Sequence, residues 1–207
     1  MGAIWVINRG LSLKEVRQNI LLACYQEMRI EKGNTFGLAI DIQERLFPAM
    51  CNKEELLKNC RILIQGLKIL GVPLIVTQQY TKGLGGTIEE VGSLVPGFEP
   101  IEKNEFSCYD NHAFAGELKN FMANNIIICG IEAHVCVLQT AVDLKEAGFN
   151  PVVVMDCVSS RSEKSIALSV ERFRHEGIMM ASAESILFEL ARKAGTAEFK
   201  SVSKLVK

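Results

Sequence analysis

From Phe36 onward, short apolar and β-branched runs alternate with longer stretches whose apolar residues recur at helical spacing. That alternation predicts right-handed βαβ units around a parallel sheet, hence an α/β fold. The candidate strands are 36–41, 73–77, a short piece at 100–103, 126–130, 152–156 and 178–181. Continuous apolar runs such as Ile126-Ile127-Ile128 fit strands covered on both faces rather than strands with one wet face.

Between the strands, Asn52 with Glu55 three residues on reads as a helix cap. Leu56, Cys60, Leu63, Ile64, Leu67 and Leu70 then recur at helical spacing until Gly71 and Pro73 end the helix. A second helix is expected from about His134 to Ala147, stopping at Gly148. A third follows Ser160, paired with Glu163, and a fourth follows Ser182. The Gly/Pro-rich segment 82–100 is the one long loop, expected to act as a flexible lid on the substrate side. Upstream, Ser12 and Glu15 form a capping pattern, and Leu13, Val16, Ile20, Cys24 and Met28 make an amphipathic stripe before Gly33-Asn34. The domain plan is therefore a helical extension over 1–34, a core domain over 35–195 and a frayed polar tail over 196–207.

Composition narrows the class of function. The chain has 207 residues, 48% of them hydrophobic and 23% charged, enough for a single buried core and unlike a disordered or membrane-spanning chain. Twenty-three basic residues face 24 acidic ones with no long run of either sign, so there is no electrostatic footprint for nucleic acid or an anionic membrane. Seven cysteines without a CxxC fit neither a disulfide framework nor a zinc ribbon and point to a reducing, cytoplasmic setting. No targeting signal is legible.

In open α/β sheets, ligands sit outside the carboxyl ends of the strands, which gives weight to polar residues at those ends. Asp41 ends the first strand; alone, it fits equally a local cap or an ion pair with Arg45. Cys136 lies six residues after Gly130 at the start of a predicted helix, where the helix dipole favours thiolate, though a small buried helix residue is the plainer reading. Lys103, among Glu102, Asn104 and Glu105, reads by itself as part of a solvated charge cluster. Together the three supply what a cysteine nucleophile needs: a proton acceptor and a cation, with backbone amides left to bind an oxyanion.

Four stretches carry a resemblance: 41–46 (DIQERL), 102–107 (EKNEFS), 130–140 (GIEAHVCVLQT) and 156–161 (DCVSSR). Over residues 36 to about 193 the chain resembles the isochorismatase-like cysteine hydrolases, most closely the isochorismatase-domain group of unassigned substrate. The resemblance implies a three-layer α/β/α fold with a mainly parallel six-stranded sheet in the order 3-2-1-4-5-6, here with an extra N-terminal helix. It implies Asp41 as general base, Cys136 as nucleophile and Lys103 as the cation holding both charges. It also implies a non-proline cis peptide between Ile131 and Glu132, with the amides of Glu132 and Cys136 as the oxyanion hole. The nicotinamidases of this family place an Asp-x-His and a further His after the second strand, where they bind a metal. This chain reads Thr77-Gln78-Gln79-Tyr80-Thr81-Lys82 instead, and His112, His134 and His175 are scattered, so neither metal nor other cofactor is expected.

Gln43, Gln78, Tyr80, Phe106 and Tyr109 are candidates for the substrate pocket. The expected activity is hydrolysis of a C–N bond or a related bond in a small molecule through a covalent Cys136 intermediate, in a homo-oligomer. The rival is a catalytically silent or redox-sensing oligomeric scaffold on the same fold, with Cys136 as an oxidisable thiol. A dinucleotide site is disfavoured, because 41–44 (DIQE) carries no glycine for a pyrophosphate turn. Gly83, Gly85 and Gly86 lack phosphate-loop spacing.

Overall fold

The computed structural model describes residues 29–120 and 123–207, so the amphipathic helix expected upstream lies outside the described residues. Six strands, β1 (Thr35–Ile40), β2 (Leu74–Gln79), β3 (Ile101–Lys103), β4 (Asn125–Ile131), β5 (Asn150–Ser159) and β6 (Met179–Ala181), form one sheet in the order β3-β2-β1-β4-β5-β6. Every pairing is parallel. All residues of β1 and β4 are buried, which is why these segments read as unbroken apolar runs.

Residue parity in β1 shows the layering. Phe36, Leu38 and Ile40 enter a core cluster with residues of α2 (His112–Asn120), α3 (Leu138–Glu146) and α4 (Glu163–His175). On the other face, the position a Cβ would take at Gly37 is 2.8 Å from Leu67 of α1 (Lys53–Ile69). That face also carries α5 (Ala183–Ala191) and α6 (Ala197–Leu205). The result is a three-layer α/β/α sandwich, as the resemblance implies.

Several local expectations change. Asn52 sits in the left-handed region at φ 48° and makes no side-chain cap, so the Asn52/Glu55 pair does not start α1. Ser162, not Ser160, caps α4 by accepting from the Ser165 amide. Ser182 caps α5 as expected, in a reciprocal pair with Ser185. The segment 82–100 holds two short helical turns, Thr81–Leu84 and Glu89–Gly92. The tail is not frayed: Thr196 caps α6, Val202 is fully buried, and Glu198 pairs with Lys32 at 2.8 Å. Residues 31–207 accordingly form one compact unit.

The crossover from β3 to β4 passes from one side of β1 to the other, so the chain leaves the carboxyl ends of β1 and β4 in opposite directions and opens a crevice there. Gly130 makes the close approach possible: at φ 123°, a Cβ there would lie 2.1 Å from the Ile40 carbonyl oxygen.

Candidate functional site

Asp41 follows β1 directly, with its backbone at φ 52° and its amide donating to the Thr77 carbonyl at 3.2 Å. A non-glycine residue in the left-handed region is uncommon, and strained residues of this kind cluster at functional sites. Thr77 Oγ1 donates to Asp41 Oδ1 at 2.8 Å, and Lys103 Nζ donates to Asp41 Oδ2 at 2.7 Å. The partner of Asp41 is therefore Lys103; Arg45 donates to the Gly83 carbonyl instead.

Lys103 ends the edge strand β3, yet its side chain is fully buried and not part of a solvated cluster. Besides Asp41, its ammonium donates to Gln79 Oε1 at 2.6 Å and to the Glu105 and Phe106 carbonyls at 3.1 and 3.4 Å. Burial disfavours the ammonium, but the Asp41 charge and hydrogen bond together with the neighbouring Cys108 and Cys136 outweigh it, and the lysine is held above its ordinary range. Such a pair is costly to assemble and more costly to break from one side, because the survivor is an uncompensated buried charge.

Cys136 is buried in a single π-helical turn, Ala133–Val137, that precedes α3. Turns of this kind are rare and concentrate at functional sites. Burial first, then the Asp41 charge, push the thiol well above its ordinary range, and Lys103 pulls it down by less. The expected helix-dipole thiolate is thus overturned. Desolvation and the adjacent Asp41 carboxylate favour the protonated form, so the resting group is a thiol beside a proton acceptor.

Of the other site residues, the Ile131–Glu132 peptide is cis, and the Glu132 carbonyl accepts from the Val135 and Val137 amides. Glu132 Oε2 accepts from both the backbone amide and Nε of Arg161. Gln43 does not line a pocket: it is fully buried and its amide clamps the N–H and carbonyl of Gln79 and the carbonyl of Gly85. Gln78 turns to Thr87 and Thr81. Tyr80 and Phe106 are about half exposed at the same sheet edge, and Tyr109 packs against the core cluster. The segment 83–87 is pinned to 43–45 by backbone bonds Glu44 to Gly86 and Arg45 to Leu84, a strap rather than a free lid.

Three residues absent from the sequence reading of the site complete it. Thr77 and Gln79 hold Asp41 and Lys103, and strand parity was the available signal, since residues 77 and 79 share one face while 78 faces away. Cys108 lies fully buried with its sulfur 3.8 Å from Thr77 Oγ1; burial pushes its thiol up to about 11 against the pull of Lys103. Both amide ends of Gln79 are committed, to Lys103 and to the Asn104 carbonyl, a donor set unsuited to a metal. Among the described residues, no group of three or more His, Cys, Asp and Glu side chains is placed to hold one.

The family model described as Isochorismatase domain matches residues 35–185. A Phytophthora sojae protein named secreted isochorismatase effector Isc1 is 35% identical over 176 residues, covering 81% of each chain. Among solved structures, the MAR1 ribonuclease from Caenorhabditis elegans is 36% identical with a TM-score of 0.81, covering 86% of this chain and 92% of its own. YcaC from Escherichia coli, described as an octameric hydrolase of unknown specificity, has a TM-score of 0.81 at 22% identity and covers 86% and 90%. The last likeness is one of fold alone.

Proposed function

Because the chain belongs to the isochorismatase family, we propose that it is a metal-independent cysteine hydrolase acting on an amide or related carbonyl bond of a small molecule. The observation that carries the reading is the fully buried Asp41–Lys103 pair, 2.7 Å apart, beside a buried thiol whose proton both charges influence. An ion pair so placed contributes little net stability, so its value lies in what it does to the third group.

Asp41 accepts the Cys136 thiol proton as the sulfur attacks the carbonyl carbon, forming a C–S bond while the carbonyl electron pair moves to oxygen. The amides of Glu132 and Cys136 receive that oxyanion. On collapse the C–N bond breaks, and the amine leaves with the proton returned from Asp41. Water then attacks the thioester, giving its proton to Asp41, and the acid departs as the thiol is restored. Lys103 keeps Asp41 oriented and balances whichever of Asp41 and Cys136 carries the negative charge.

The balanced charge of the chain favours a small molecule over RNA, although the nematode neighbour bears the name ribonuclease. No described helix is long and apolar enough to cross a membrane. The free thiols among the described residues support a reducing compartment, although the Phytophthora relative is named as secreted. The test is acid-quenched turnover of small amides, ureas and esters, with RNA in parallel, followed by peptide mass spectrometry. An acyl group on Cys136 is the expected result. Turnover without any adduct on Cys136, or RNA cleavage that survives Cys136→Ala, sinks the reading.

A further inference from the structure

The Lys103 ammonium has three protons, and its three shortest contacts are Asp41 Oδ2 at 2.7 Å, Gln79 Oε1 at 2.6 Å and the Glu105 carbonyl at 3.1 Å. The shortest of them is to a neutral amide, not to a carboxylate. That amide is fixed on every side. Its Nε2 donates to the Asn104 carbonyl at 2.8 Å, which sets which end faces Lys103. The backbone N–H and carbonyl of Gln79 are both taken by the side chain of Gln43, at 2.7 and 3.0 Å, which ties the end of β2 to the loop after β1. A residue locked by its own packing and hydrogen bonds is the kind that can hold a reacting group in place.

Resting on the hydrolase reading above, we infer that Gln79 is a positioning residue for that reaction: its neutral amide fixes Lys103 without adding a second carboxylate to compete for the charge that Lys103 shares between Asp41 and Cys136. A carboxylate at this position would sit where Oε1 now accepts at 2.6 Å and would compete with Asp41 for the same ammonium. It would also add a second negative charge near a thiol that one carboxylate already pushes up. The titratable groups facing Lys103 are Asp41, Cys108, Cys136 and, from its own loop, Glu105; those facing Cys136 are Asp41, Lys103 and Cys108.

The experiment measures iodoacetamide labelling of Cys136 in the full chain across pH, by site-resolved mass spectrometry, in wild type, Gln79→Glu, Gln79→Met and Lys103→Ala. Gln79→Glu should label about tenfold more slowly at a fixed alkaline pH, equivalent to moving the thiol by one pKa unit. Gln79→Met, which keeps the length and loses both hydrogen bonds, should fall between wild type and Lys103→Ala. With a substrate in hand, both Gln79 variants should lower kcat and leave KM unchanged. Wild-type pH profiles for Cys136 in Gln79→Glu and Gln79→Met would leave Gln79 a purely structural residue and overturn the inference. If Lys103→Ala also leaves Cys136 unchanged, the hydrolase reading fails with it; if Lys103→Ala slows labelling, only the role of Gln79 is lost.

Discussion

Two groups of buried thiols occupy this fold, and they differ in company rather than in burial. At the carboxyl edge of the sheet, Cys136 and Cys108 lie beside Asp41 and Lys103. In the interior, where α1 packs on β5, Cys60, Cys129 and Cys157 answer to burial and to one another rather than to Asp41 and Lys103. Cys60 Sγ lies 3.4 Å from the Cys157 carbonyl, and Cys60 and Cys129 share a hydrogen bond that lowers one and raises the other. All five thiols end above their ordinary range. Burial alone therefore does not mark a nucleophile. Cys108 feels the same two charges, so what separates Cys136 is its hydrogen bond to the Asp41 carboxylate, which can take its proton beside a lysine that favours its thiolate.

The largest test of that contrast is removal of the thiol itself. Cys136→Ala should lower turnover on the order of 10⁴-fold or more with the fold intact, as loss of a covalent nucleophile does elsewhere. Steady-state kinetics with circular dichroism on the same sample would show it, and residual activity within tenfold of wild type would put the chemistry elsewhere. Asp41→Asn is next and gives two opposite signs. Turnover should fall by roughly 10²–10⁴-fold for loss of a general base. Alkylation of Cys136 at pH 8 should nevertheless rise by about tenfold or more, because the charge that raises the thiol is gone and the lysine that lowers it stays. A parallel fall in both rates would make Asp41 a structural anchor only.

Why some of this was legible from sequence and some was not follows from the length and parity of each element. Runs such as 126–130 are apolar on both faces and admit no other reading in a fold of this period, so the sheet and its site-bearing ends were readable. Asp41, Lys103 and Cys136 drew weight from lying at or just beyond strand ends, but each alone had a plainer reading, and it was their combination and the family resemblance that gave them roles. Gln43 was misplaced because an amide beside a strand end looks the same whether it faces a ligand or braces a neighbouring strand; only its bonds to Gln79 and Gly85 decide. Gln79 was passed over for Gln78, although alternation along β2 puts Gln79 on the face of Thr77. Short helices such as α2 and α6 bury only a few apolar residues each, Phe114 and Leu118 in one and Val202 in the other, too few to stand above the background.

The raised thiols also tie stability to pH, and here the two groups should behave alike. Cys108 and Cys157 are pushed up to about 11 from an ordinary 9.0, in both cases chiefly by burial. Between those values the unfolded chain has lost the proton that the folded chain keeps, so the unfolded state binds fewer protons and stability falls as pH rises. Each thiol contributes a loss of about 1.4 kcal/mol per pH unit within that window. Urea unfolding at pH 8, 9.5 and 10.5 should show the decline, and Cys157→Ala should make it shallower. A curve flat from pH 8 to 10.5 would mean that these thiols ionise without opening the structure.

The smallest effect is the control for the whole contrast. Cys60 on α1 is as buried as Cys136, but the groups acting on its sulfur are the Cys157 carbonyl, the Cys129 and Cys157 thiols and the Asp156 charge rather than Asp41 and Lys103. Cys60→Ala removes one heavy atom from a packed interior and should cost about 1 kcal/mol, near the lower end of large-to-small core changes. For a chain of this size that lowers Tm by about 2–4 °C. Turnover and the alkylation rate of Cys136 should both stay at wild-type values, because no charge near the site has moved. Differential scanning calorimetry and the alkylation assay together read this out. If Cys60→Ala instead depressed Cys136 reactivity as Lys103→Ala is expected to, the two thiol groups would be coupled through the β1–β4 core, and the site could not be understood from its own edge of the sheet.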